Sequence, residues 1–164
     1  MSISSTNASY IACYESGYTL GNIQLQKILY IASIRFAGNH KDEPLIDDEY
    51  FYAWKHGPVL PKIYKSCYKY GSGIIEYLPN HNIDLFENSD EYKIISETVK
   101  ELKNIPVYEL VAYTNDEIGA WHHARGLGDD MPILPEDFEV EYSIRKSNNK
   151  LIVSWHFFNY NILL

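Results

Sequence analysis

Apolar residues recur at Leu25, Ile28, Leu29, Ala32 and Phe36, a spacing that lays one buried stripe along a helix. The pattern predicts a helix over 22–37, capped by Thr19 or Asn22 and stopped by Gly38 and Asn39. A shorter helix over 7–16 precedes it and ends at Gly17. After a polar loop over 40–47, the acids that open "DDEYFYAW" suit the first turn of another helix. Residues 74–88 carry Pro79, Asn80 and Asn82 and read as irregular. Ser89 then caps a helix in which Tyr92, Ile95, Val99 and Leu102 share a face. Pro106 suits the first position of "PVYELVAYT", and "DEIGAWHHARG" reads as a short helix closed by Gly126 or Gly128.

The period changes near the end. Val140, Tyr142 and Ile144 alternate with Glu139, Glu141, Ser143 and Arg145, the repeat of a half-buried strand. "KSNNK" follows as a turn and "LIVSWHFF" as a β-branched, aromatic run, which together describe a terminal β-hairpin. A second reading is one more helix from Pro135 with a tail beyond it. The expected fold is therefore mainly α: a single helical domain over 1–164, with a small C-terminal β-hairpin as the first reading of its end.

Composition narrows the function classes. A formal net charge of -8 disfavours direct nucleic-acid binding, because phosphate neutralisation needs an excess of Lys and Arg. The two cysteines, Cys13 and Cys67, form no CxxC and read as reduced thiols of a cytoplasmic protein. The opening "MSISSTNASYIACYESG" has neither a basic leader nor a continuous apolar core, so no signal peptide is expected. The apolar runs are interrupted by Arg35, His156, Asn159 and Asn161. A helix over the last of them would reach only about 21 Å, against a hydrocarbon core of roughly 30 Å. No membrane role is expected.

The segment "FYAWKHGPVLPKIYKSCYKYG" asks for an explanation of its own. Pro58 and Pro61 bias Gly57 and Leu60 away from helical backbone, so a helix must break at Gly57, run extended and restart at Pro61. The next helix, 61–70, ends at Gly71 and carries Lys62, Lys65 and Lys69 on one face. In one reading Trp54 and the prolines only fix a junction and the lysines are a solvated face. In the other, Trp54, His56, Gly57, Pro58, Val59 and the Lys62/Lys65/Lys69 face form a rigid patch for an acidic protein partner. Fifteen tyrosines and three tryptophans favour the second, since such residues dominate interface hot spots.

The pair of motifs "IQLQKILYIA" and "YAWKHGPVLPKIYKSCYKYG" resembles the Panacea domain family, which includes SocA-like antitoxins and phage-associated proteins. Leu25, Gln26, Lys27, Leu29 and Tyr30 carry the first match. Ala53, Trp54, Gly57, Pro58, Val59, Pro61, Tyr64, Tyr70 and Gly71 carry the second. In "YTNDEIGAWHHAR" Trp121 fits a third motif, while Asn115 stands where the family tends to have a His. The likeness covers about 8–142 and leaves 143–164 as an extension. It implies a helical antitoxin that neutralises a cognate protein toxin by direct binding. Some relatives instead act as adaptors that hand a client to a protease. Leu25, Gln26, Lys27, Leu29, Tyr30 and Trp121 are expected to form the scaffold behind the contact.

Signals for catalysis are weak. His122 and His123 are adjacent, so on a helix they diverge by about 100° and do not chelate as i, i+4 histidines do. His40, His56 and His81 stand isolated, and Asp47, Asp48 and Glu49 cannot converge on one helical face. The acids Asp129, Asp130, Glu136, Asp137, Glu139 and Glu141 read as a solvated surface. "GSG" at 71–73 lacks the Gly-Lys-Ser/Thr ending of a phosphate loop. The expectation is a binding protein with no cofactor and no catalytic residue; a metal-dependent hydrolase is the less favoured reading.

Overall fold

Helix α2, Asn22–Asn39, is the axis on which the other elements pack in the computed structural model, which describes residues 2–151 and residue 153. The predicted stripe is buried, but so are Gln26, Lys27, Tyr30, Ile31, Ser33 and Ile34. A helix enclosed on nearly every side is an interior element rather than an amphipathic one. Helices α1 (Ser5–Glu15), α4 (Asp90–Leu102), α5 (Val107–Thr114) and α7 (Pro135–Ser147) surround it. Helices α3 (Pro61–Cys67) and α6 (Ala120–Leu127) complete the helical set among the described residues. The mainly α expectation holds.

Local chemistry accounts for several boundaries. Ser4 and Ser89 cap α1 and α4 by accepting from Asn7 N and Tyr92 N, each at 3.1 Å. Gly21, not Thr19 or Asn22, precedes α2 and offers no side-chain cap. Pro106 lies just outside α5 rather than at its first position. Gly71 follows the 3-10 turn Tyr68–Tyr70 with φ at 56°, a conformation that suits glycine.

Two elements differ from expectation. "DDEYFYAW" forms no helix; Phe51–Trp54 is a strand, β1, with Phe51 and Ala53 buried and Tyr52 and Trp54 half-exposed. Its partners are β2 (Gly57–Val59) and β3 (Pro132–Ile133), both antiparallel, in the order β2-β1-β3. The aromatic run obeys the two-residue period of a pleated strand, and neighbours far away in sequence supply its pairing. Ala53 donates its N–H to Met131 O at 2.8 Å. Pro58, which faces Ala53 on the edge strand, therefore has no ladder donor to lose.

The first strand of the predicted C-terminal hairpin is instead α7, the second reading. Pro135 begins it, and the Asp137 carboxylate accepts from Leu134 N at 2.8 Å. The inward set is Phe138, Glu141 and Arg145, at helical spacing, while Val140 is exposed. The other strand proposed, "LIVSWHFF", lies outside the described residues except for Leu151 and Val153.

Candidate functional site

Two polar side chains of α2 hold the edge of the sheet. Gln26 Oε1 accepts from Leu60 N at 2.8 Å, and its Nε2 donates to Leu60 O at 3.3 Å. Lys27 Nζ donates to Pro58 O at 3.1 Å. These bonds replace the partners that an edge strand would otherwise take from a further strand or from water. Lys27 is only 3% exposed, and burial pulls its ammonium down to about 8. A Cβ on Gly57 would run into Lys27 Nζ and come within 3.1 Å of Asn115 Oδ1. With φ at 138°, Gly57 holds a conformation that other residues rarely adopt.

The tip of the hairpin, Lys55-His56, is exposed but tied from behind. Asn115 Nδ2 donates to His56 O at 3.3 Å, and Trp121 Nε1 donates to Trp54 O at 2.9 Å. Arg125 Nη1 reaches Ala53 O at 3.3 Å. The Trp54 ring packs edge-on against Tyr64 of α3, with centroids 5.2 Å apart. Fixing the backbone by three bonds, from Asn115 at the end of α5 and from two residues of α6, reduces the freedom that binding would otherwise have to remove.

Between the hairpin, α2 and α5 lies an open cleft of about 800 Å³. Ile23, Trp54, Val59, Tyr64, Val107 and Val111 form its apolar walls. Gln26, Lys27, Gly57 and Asn115 also line it, with Lys55, His56 and Asp130. Ile23 and Val107 are 56% and 41% exposed, high values for aliphatic side chains lining one site. Such a site can grip an apolar surface and offer it one buried cation, Lys27, with the exposed Lys55 beside it.

Behind the cleft a buried polar network sets the position of α6. Tyr30 Oη donates to Glu141 Oε2 at 2.6 Å, and Ala120 N donates to the same oxygen at 2.9 Å. Trp121 N donates to Tyr30 Oη at 3.1 Å. Arg145 binds Glu141 Oε1 through Nε at 2.8 Å, donates to Tyr113 O at 2.6 Å and stacks over the Tyr113 ring. Burial pushes the Glu141 carboxyl up, while Arg145, Tyr30 and Ala120 pull it back. Glu141 thus belongs to the interior, not to a solvated acidic surface.

The predicted contact residues are only partly assembled together. Trp54, His56, Gly57 and Val59 line the cleft, and Pro58 lies buried at its edge with its carbonyl on Lys27. Lys62, Lys65 and Lys69 are not among the lining residues. Lys62 pairs with Asp48 at 2.9 Å, whereas Lys65 and Lys69 are exposed. Of the expected scaffold, Leu25, Leu29 and Tyr30 are core, and Trp121 braces the hairpin. Gln26 and Lys27 reach the cleft itself.

The acids at 47–49 open no helix of their own; Asp47 accepts from Ser2 Oγ at 2.7 Å, and the other two meet the starts of helices remote in sequence. Asp48 accepts from Ser5 N of α1 at 2.7 Å, and Glu49 accepts from Lys62 N of α3 at 3.1 Å. Burial raises the Glu49 carboxyl to about 7. His122 and His123 are both exposed on α6, and no group of three metal-ligating side chains occurs among the described residues. Sequence reasoning missed Ile23, Val107 and Val111 on the cleft wall. The solvent exposure of Ile23 and Val107 leaves no trace in an apolar periodicity, nor does the half-buried place of Val111 beside them.

The family model described as Antitoxin SocA-like, Panacea domain, matches residues 25–122. The chain belongs to this family. The matched span of the Panacea domain runs from the α2 residues that clasp the hairpin to the α6 residues that brace it, so it encloses most of the cleft. It is narrower than the motif resemblance and excludes α1 and α7. No curated protein and no solved structure matches the chain. No helix among the described residues is long and apolar enough to cross a membrane.

Proposed function

We propose that this Panacea-domain protein neutralises a cognate protein toxin by binding it directly, with the cleft between the hairpin, α2 and α5 as the seat of the contact. It acts in the cytoplasm and performs no chemistry on the toxin. One observation carries the reading: apolar side chains stand exposed around a cleft framed by the family's matched segment. Half-exposed Trp54, with its backbone tied to Trp121 and its ring against Tyr64, is the aromatic anchor such an interface needs.

Co-expression with the product of the adjacent reading frame tests this. The expected result is rescue of growth together with a complex that survives gel filtration. It should be lost on Trp54→Ala or Val111→Asp, with circular dichroism unchanged. Rescue with no complex and a shortened toxin half-life would instead assign delivery to a protease. Failure to rescue would end the antitoxin reading for that pair.

A further inference from the structure

We infer that the cleft recognises an acidic side chain, an aspartate or glutamate of the bound protein, which reaches between the apolar walls to the ammonium of Lys27. The inference rests on the antitoxin reading for the kind of partner, and on this site alone for its chemistry.

Lys27 is the starting point. Its ammonium has three donors, and the structure uses one of them, on Pro58 O. Arg145, which is just as buried, has Glu141 as its counter-charge. Lys27 has no carboxylate within ion-pair distance among the described residues. A buried cation without a partner is costly, and a single carbonyl compensates little of it. Residues 154–164 contain no Asp or Glu, so that stretch supplies no acidic side chain either.

The surroundings select the ligand. Aliphatic and aromatic walls at Ile23, Val107, Val111, Trp54 and Tyr64 exclude water once covered, which strengthens an ion pair formed at the floor. Lys55 and His56 stand at the mouth on one side, and Asp130 is the single acid of the lining. An acidic residue flanked by apolar ones, on a helix or loop of the partner, matches this distribution. A basic or purely apolar segment would leave Lys27 buried further and still unpaired.

The experiment measures the affinity of the full-length chain for the toxin, comparing the wild type with Lys27→Met. The neutral variant should bind at least about 30-fold more weakly. Replacing one toxin carboxylate by its amide should produce the same loss, with little further loss when the two changes are combined. This second arm leaves the present chain untouched, so it holds even where Lys27→Met folds poorly. Affinity of Lys27→Met within about twofold of the wild type, or no toxin carboxylate coupled to Lys27, overturns the inference while leaving the antitoxin reading intact.

Where no toxin binds at all, the antitoxin reading fails and the cleft is tested by panning a phage-displayed random peptide library. Wild-type protein should enrich peptides with an acid between apolar residues, and Lys27→Met should not. Equal enrichment on both, or none on either, overturns the inference.

Discussion

Glu141 and Arg145 stand one turn apart on α7 and meet at 2.8 Å with neither side chain exposed to solvent. Glu141 also gathers Tyr30 Oη and the first backbone N–H of α6, so one ion pair fixes α7, α2 and α6 relative to one another. The face of α6 that carries Trp121 is thereby aimed at the hairpin. Stability and the shape of the cleft share this pair.

Removing one member leaves the other charged and buried. Glu141→Gln and Arg145→Met should each destabilise the protein by about 3–5 kcal/mol, read as a lowered urea midpoint. The double substitution should cost clearly less than the two added together, because neither charge is then left alone. Additive losses would show that the pair is not coupled as described.

Gly57 is expected to be intolerant for two separate reasons, its positive φ and the place of Lys27 Nζ. Gly57→Ala should cost about 1–3 kcal/mol and weaken partner binding as the hairpin shifts. Gly126→Ala, on α6 with open space around it, should instead stabilise by roughly 0.5–1 kcal/mol. The comparison is made by urea denaturation of both variants; equal effects would contradict the assigned backbone.

Lys27 gives the stability a distinctive pH dependence. Its pKa is about 8 in the folded chain against an ordinary 10.5, so the unfolded chain holds more protons across that window. The Lys27 contribution to stability therefore rises with pH between about 8 and 10.5, opposed above pH ~9 by the raised thiols of Cys13 and Cys67, and below that range the buried ammonium costs roughly 3 kcal/mol. Lys27→Met lacks the titration. Its stability relative to the wild type should fall by up to that amount between neutral pH and pH ~10.5, a difference from which the shared titrations of Cys13, Cys67 and the tyrosines cancel. A constant difference would mean that Lys27 is solvated.

Lys65 and Lys69, exposed and outside the cleft lining, are expected to act on a partner only at a distance. Lys65→Glu combined with Lys69→Glu should slow association with the toxin by about tenfold at low salt and very little at high salt, with the dissociation rate nearly unchanged. Lys62 is left alone because reversing it would set like charge against Asp48. Stopped-flow kinetics at two ionic strengths decides the matter, and salt-independent rates would confine recognition to the cleft.

Some of the protein is written locally and some is not. The apolar series from Leu25 to Phe36, the Ser89 cap and the stops at Gly17 and Gly71 follow from side-chain periodicity and backbone sterics within a few residues. These were legible, as was the motif that placed the chain in its family. "FYAW" was misread because strand pairing depends on Val59 and Ile133, which nothing within the segment reveals. "FEVEYSIR" was misread because a two-residue alternation assigns Val140 to the inside. The interior instead takes Glu141 and Arg145, which neutralise each other there.

The amino-acid sequence alone determined that α2 forms, that the chain turns sharply at Gly57-Pro58 and that aromatic residues crowd around that turn. Tertiary structure alone decided that Lys27, an ordinary helical lysine on paper, is enclosed against a carbonyl 31 residues away and ends at the floor of a cleft. The reason is physical. Helix and turn preferences come from interactions within one or two turns of chain, whereas the solvation of a charge depends on every element packed around it.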